Sequence, residues 1–229
     1  MSSAVVSRPV SGAIEFDYIH EPDAISAESF ARIRAEAQLD HLPGLMKAVA
    51  ERVIHANASL EAGDSLRFTE GAPEKVREAL KVGGPILVDS HMVRRGITRR
   101  FLPTDNEVIC CLDDDGVSVE AKSRGETRSA IAVERWADRL DGAVCVFGNA
   151  PTALFRLLEM LHQEGAAKPA AILGFTVGFV GAKESKEALL DQVLNGPLSD
   201  IAVIATAGRL GGSPVAAGAL NAIALGGNP

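Results

Sequence analysis

Five continuous apolar runs, spaced by amphipathic segments, constrain this chain more than any other feature of it. The runs are Pro85–Asp89, Glu107–Leu112, Ala143–Phe147, Ala170–Phe175 and Ile201–Thr206. Alternation of polar and apolar residues would mark strands with one wet face. Unbroken Val, Ile, Leu and Ala mark strands covered on both faces, as in a parallel sheet with helices on either side. The segments Pro73–Val82, Ser129–Leu140, Pro151–Glu164, Ala182–Leu194 and Pro214–Ala224 carry helical periodicity. Their lengths suit βαβ crossovers. The sequence predicts an α/β fold: a mostly parallel, doubly wound, Rossmann-like sheet flanked by helices.

The first part of the chain reads differently. Glu21-Pro22-Asp23 opens a helix, with Asp23 as the expected N-cap and Ile25, Phe30, Ile33 and Ala37 on one face. Pro43 suits the first position of a second helix. Leu45, Val49 and Val53, thickened by Met46, Ala50 and Ile54, form its buried face, and it should end near His55-Ala56-Asn57. No repeat or low-complexity linker divides the 229 residues, so one domain is expected. Within it, residues 1–17 are expected to be flexible, 18–60 helical and 61–229 the α/β core.

Composition narrows the function. A net charge of −7 and aromatics at 4% argue against a broad nucleic-acid surface, which needs basic stripes and stacking rings. Cys110, Cys111 and Cys145 fit neither a disulfide framework nor a zinc pattern, which suits a reduced, cytoplasmic setting. The N-terminus has no signal-peptide core. The 20 residues after Arg209 are uncharged but carry Pro214 and five glycines. They read as a helix packed on protein and a candidate subunit interface rather than a membrane span.

Glycine-rich loops follow three of the runs: Gly148-Asn149-Ala150-Pro151-Thr152, Phe175–Gly181 and Ala207–Ser213. Open α/β sheets bind ligands at the carboxyl ends of their strands. Glycine there serves tight turns or lets backbone N–H groups approach an anion. The phosphate-loop and dinucleotide fingerprints are absent, since Gly174, Gly178 and Gly181 break the required spacing. There is no nucleophile elbow, and no metal site is expected.

Among single residues, His55 stands out. It lies at an expected helix end, within Arg52-Val53-Ile54-His55, where an imidazolium is favoured and Arg52 is placed to hold a carboxylate. On local sequence alone a half-buried, helix-terminal histidine without a role is the stronger reading, and His20, His41, His91 and His162 are read as having none. Thr127 or Ser129 is positioned to cap the helix that Arg128 begins, and Arg128 there calls for a compensating anion. Arg94, Arg95, Arg99 and Arg100 make a locally basic run that suits a solvated face.

An ordered set of stretches then carries a resemblance. They are Ser29-Phe30 with Ile33-Arg34-Ala35-Glu36-Ala37, Ile54-His55-Ala56, Gly84-Pro85-Ile86-Leu87 with Asp89 and Met92-Val93, Leu102-Pro103 with Asn106–Cys110, Thr127-Arg128-Ser129-Ala130, Gly148–Phe155, Val177–Ala182 with Glu184-Ser185-Lys186, and Gly208-Arg209 with Gly211-Gly212-Ser213. Together, from about Tyr18 to Ala224, they resemble the precorrin-8X methylmutase family of cobalamin biosynthesis.

The resemblance implies an isomerase that moves a methyl group from C-11 to C-12 of a corrinoid by a suprafacial 1,5-shift. Precorrin-8X becomes hydrogenobyrinate, or cobalt-precorrin-8 becomes cobyrinate in the cobalt-early route. It implies no external cofactor, no metal held by protein, no nucleic-acid or membrane partner, and a homodimer. His55 would protonate or hydrogen-bond the macrocycle. Ser29, Arg52 and Arg128 match substrate contacts of the family, and Thr127, Asn149, Gly178, Gly181, Arg209, Gly211, Gly212 and Ser213 are expected to bind substrate with them. Many family members carry Tyr at Ser26 and a Cys/Ser-Gly pair at Asn57-Ala58. A non-catalytic tetrapyrrole carrier and a nucleotide-dependent oxidoreductase are the other readings.

Overall fold

A computed structural model describes residues 16–227. The expected flexible N-terminus lies, up to residue 15, outside the described residues. Helices α1 (Pro22–Glu36) and α2 (Gly44–Asn57) come first, then α3 (Leu60–Asp64), strand β1 (Leu66–Phe68) and α4 (Ala72–Lys81). The α/β run follows: β2 (Ile86–Val88), α5 (His91–Gly96), β3 (Val108–Ile109), α6 (Val117–Arg124), α7 (Arg128–Glu134), β4 (Val144–Phe147), α8 (Pro151–Leu161), β5 (Ala171–Gly174), α9 (Ala182–Leu194), β6 (Ala202–Thr206) and α10 (Ser213–Ala224).

The six strands form one sheet in the order β1-β6-β5-β4-β2-β3. All neighbours are parallel except β1, which pairs antiparallel with β6, Arg67 opposite Ala205. The expected mostly parallel sheet is therefore present, with an antiparallel edge strand. The chain passes from β2 outward to β3, then returns across β2 to β4. Strand order reverses between β2 and β4, the position where such sheets open a ligand crevice.

Both faces of the strands are buried, as the unbroken apolar runs require. Ile86, Val88, Val144, Val146, Leu173 and Ile204 join the core formed with α2, α4, α5 and α10. Leu87, Cys145, Phe147, Ile172 and Val203 turn to the opposite core, formed with α6, α7, α8 and α9. This period of two is hidden in a sequence where both faces want apolar residues.

Several expectations shift. Glu21, not Asp23, caps α1: its carboxylate accepts from the N–H groups of Asp23 and Ala24, placing Pro22 at the first helical position. Pro43 is the residue before α2 rather than its first turn. The segment Ser129–Leu140 is not one helix; α7 ends at Glu134 and a short 3-10 turn covers Ala137–Arg139. Two pieces let Trp136 turn inward to full burial, 5.5 Å from the Phe147 ring. The short elements α3, β1, α5 and α6 carry too little periodicity to be seen beforehand. The uncharged tail is not an exposed interface. Its helix α10 buries Val215, Ala216, Leu220 and Ile223 in its own protomer, against α2 and α5. Among the described residues no helix is long and apolar enough to cross a membrane.

Phe147 is fully buried between the sheet and α7. Phe147→Ala should cost about 3–5 kcal/mol in urea unfolding. Val119→Ala, at a side chain 75% exposed, should stay within about 0.5 kcal/mol.

Candidate functional site

His55 occupies the last turn of α2. Its Nδ1 lies 3.0 Å from the Ser29 hydroxyl of α1, and its ring stacks on Phe30 at 5.0 Å. The Arg52 guanidinium sits over that same ring at 4.7 Å. Helix α1 is fixed on α2 by a two-pronged pair, Arg34 to the buried Glu51, at 2.9 and 2.8 Å. Helix α10 runs antiparallel to α2. Gly227 lies beside Leu45 and Ala48, whereas a Cβ at Gly218 would stand 3.7 Å from the Arg52 carbonyl oxygen. The start of α10, reached from the carboxyl end of β6, therefore faces the end of α2. His55, Ser29 and Arg52 come to the carboxyl edge of the sheet from a segment far away in sequence.

The glycine loops share that edge, but several of their glycines serve the protein first. Asp89 is buried at the end of β2, and its carboxylate accepts the N–H groups of Gly148, Asn149 and Ala150 at 3.0, 2.8 and 2.7 Å. Burial pushes its carboxyl up from the ordinary range and these bonds pull it back. The three N–H groups expected to meet a ligand anion are thus taken by an internal one. Only the exposed side chain of Asn149 remains for a ligand there. Gly211 is required by close approach: a Cβ would lie 2.2 Å from the Phe175 carbonyl oxygen. The Gly212 N–H donates to that same oxygen at 2.8 Å. Ser213 is buried, its hydroxyl 3.3 Å from that of Ser90. Gly178, with φ +135°, is open to solvent, and Gly181 begins α9 with φ +80° beside Pro151.

The charged groups differ in what already holds them. Arg124 and Arg156 are tied into a net with Glu120, Glu126 and Glu134 on the outer face of α6, α7 and α8. Arg128, at the start of α7, has only a loose contact with Asp113 at 3.9 Å, and Asp113 is also held by His91 at 2.7 Å. Arg52 and Arg209 have no carboxylate within ion-pair distance among the described residues. Arg209 rests over the exposed ring of Phe179 at 5.0 Å. Burial lowers the Arg52 pKa, with Glu51 opposing, so this guanidinium gains from an anionic partner. Of the two expected caps Thr127, not Ser129, caps α7, and its hydroxyl meets that of Thr152 at 2.7 Å, joining α7 to α8.

Two grooves flank this edge. One, of about 320 Å³, is lined by Ser29, Ile54, Ala58 and Leu60; the other, of about 410 Å³, by Thr127, Thr152, Phe155 and Arg156. The structure therefore gathers His55, Ser29 and Arg52 at one end and Thr127 and Arg128 toward the other. Gly178, Gly181, Arg209 and Gly211–Ser213 lie on loops between them. Sequence reasoning gave Asp89 and Lys186 no role. Their signal was an acid ending an apolar strand and a lysine on the buried side of a helix.

Ala58, just after His55, has φ +50°, the one non-glycine residue with positive φ among those described. Here the family's Gly would sit without strain; Ala does not.

His55, oriented by Ser29, and the guanidinium groups of Arg52 and Arg209 place a titratable ring and positive charge together along the edge of an α/β sheet. Among the described residues no three His, Cys, Asp or Glu side chains gather as metal ligands. The profile of the precorrin-8X methylmutase family matches residues 24–225, and the chain belongs to that family of isomerases. A precorrin-8X methylmutase of Pseudomonas aeruginosa is 50% identical over 91% of this chain and 97% of its own. A cobalt-precorrin-8 methylmutase of Salmonella typhimurium is 39% identical over 90% and 96%. The crystal structure of a precorrin-8X methylmutase from Thermus thermophilus superposes with a TM-score of 0.78, at 37% identity, covering 90% of this chain and 98% of that one.

Two variants test the geometry. Asp89→Asn turns an amide NH2 toward donors already committed to a carboxylate, and thermal unfolding should register a loss of at least about 2 kcal/mol. Ala58→Gly should raise stability by about 1 kcal/mol through relief of the left-handed backbone, and an unchanged melting temperature would count against strain there.

Proposed function

We propose that residues 1–229 act as one unit that converts precorrin-8X to hydrogenobyrinate, with His55 as proton donor to the macrocycle. The observation that carries this reading is the Ser29–His55 contact of 3.0 Å at the edge where, among the described residues, Arg52 and Arg209 have no carboxylate within ion-pair distance and Arg128 has a loose contact with Asp113 at 3.9 Å. From β6 to β2 that edge spans three strand spacings, about 14 Å. This suits a flat ring with carboxylate arms spread from its rim. Each arm must exchange water for a cation or an N–H group, since burial without a partner costs several kcal/mol.

In the rearrangement the methyl carbon leaves C-11 as it bonds to C-12, on one face of the ring. Bonding electrons shift within the macrocycle, so no external oxidant, reductant or nucleophile is consumed. What the protein adds is a fixed ring position and a proton at the right atom. Ser29 suits this task because a hydroxyl both donates and accepts. Once Nε2 has given its proton to the macrocycle, Nδ1 keeps its own and still donates to the hydroxyl; in the tautomer with the proton on Nε2, the hydroxyl donates to Nδ1. With the imidazolium it accepts from Nδ1–H. Neither state strands a hydrogen bond as the proton comes and goes.

The metal-free substrate is favoured by the 50% identity to a relative named for precorrin-8X, against 39% for one named for the cobalt compound. A homodimer is the proposed assembly. Phe16, Tyr18, Ile19 and Ile25 are exposed on the segment leading to Ser29, and a second subunit would cover them. Three free cysteines, all buried, support a reducing cytoplasm.

His55→Ala should retain hydrogenobyrinic acid binding while turnover of precorrin-8X falls at least about a hundredfold. Turnover near the wild-type rate would remove His55 from the chemistry. Arg128→Ala should weaken that binding about tenfold through loss of a carboxylate fork, and an unchanged titration curve would take Arg128 out of the site.

A further inference from the structure

Lys186 projects from α9 into the protein and is 1% exposed. Its Nζ donates to the Thr176 carbonyl at 2.9 Å, to Thr206 Oγ1 at 3.3 Å and to the Leu210 carbonyl at 2.5 Å. An ammonium has three N–H bonds, and all three are used. Thr206 Oγ1 donates to the same Leu210 carbonyl at 2.6 Å. Every acceptor is neutral, and among the described residues no carboxylate pairs with Lys186. Burial brings its pKa down to about 8, so the cation persists at neutral pH without a counter-ion.

The two carbonyls belong to the loops that follow β5 and β6, adjacent strands ending at the same edge. A trans peptide places its C=O and the next N–H on opposite sides, and no described peptide is cis. With the Thr176 carbonyl turned inward to Lys186, the Val177 N–H turns outward. The Leu210 carbonyl does the same for the Gly211 N–H. Neither N–H has a backbone acceptor among the described residues. The loops are locked in register by the Gly212 N–H on the Phe175 carbonyl, an approach that excludes any side chain at 211.

We propose that Lys186 is a positioning residue that presents the N–H groups of Val177 and Gly211 as a paired cradle for one carboxylate arm of the ligand. The proposal rests on the corrinoid reading above and adds a binding subsite built of backbone. Gripping both carbonyls with one ammonium polarises both peptide groups, which strengthens the outward N–H donors. Paired backbone N–H groups are a recurrent carboxylate site. The buried cation and the bound anion then compensate each other through the peptide planes between them.

The test is an amide NMR titration of the wild-type chain with hydrogenobyrinic acid, repeated with Lys186→Gln. In the wild type the Val177 and Gly211 amide protons should move downfield on binding. In Lys186→Gln, which keeps a hydrogen-bonding head without the charge, those shifts should shrink. Affinity should fall about tenfold, and KM for precorrin-8X should rise with kcat within about threefold, the pattern of lost uniform binding. Ligand binding that leaves both amides unmoved overturns the cradle, as does a Gln variant with wild-type affinity or one that loses kcat at constant KM. Failure of hydrogenobyrinic acid to bind the wild type at all overturns the corrinoid reading instead. Should the variant not fold, the wild-type amide shifts decide the matter.

Discussion

A carboxylate buried where the strand order reverses sets the shape of everything above the sheet. Asp89 ends β2, and its two oxygens gather three consecutive N–H groups from the loop after β4. In doubly wound sheets this gap between neighbouring strands is the usual ligand crevice. Here the chain closes it with its own anion. The loop is thereby bent into the start of α8, and its three N–H groups are spent within the protein. Donor groups that would serve a phosphate elsewhere serve architecture here, which accords with the missing nucleotide fingerprints.

Lys186 is the counterpart of opposite sign, two strands away. Asp89 consumes N–H groups and Lys186 consumes carbonyls, so the first loop turns its donors inward and the other two turn theirs outward. One edge thus contains a blocked stretch and a receptive one. Beside the receptive stretch stand Arg209 and, across the start of α10, Arg52 and His55. The protein carries a net charge of −7, yet two arginines without a carboxylate partner among the described residues, Arg52 and Arg209, stand here. Elsewhere Glu120, Glu126 and Glu134 neutralise Arg124 and Arg156 among themselves.

How much of this was legible beforehand follows from the range of the forces involved. The five buried strands declared themselves because double-sided burial writes continuous apolar runs, and α8, α9 and α10 did so through helical periodicity. The end of α2 at His55 was visible from periodicity, and Thr127 as a cap from its place before Arg128. The N-cap of α1 was misplaced by two residues because Glu21 and Asp23 flank Pro22, and only geometry shows which carboxylate takes the N–H groups of the first turn. Strand β1, three residues of an edge, leaves no pattern of its own. Nor did the glycines reveal their task. Gly211 is glycine because the Phe175 carbonyl is close, and Gly148 because Val93 and Ser213 are. These contacts join residues that no local reading connects. Asp89 and Lys186 stand within the stretches that carry the family resemblance, but their partners lie in loops that only the folded sheet brings near.

The antiparallel seam between α2 and α10 has a consequence for how the molecule comes into being. The helix bearing His55 is synthesised well before the helix it leans on. Until then α2 has its apolar flank uncovered, and Arg52 and His55 have no edge to stand on. A nascent chain can therefore hold a nearly finished sheet and still be incapable of gripping an acidic pigment. The two faces meet only when α10 seats on α2.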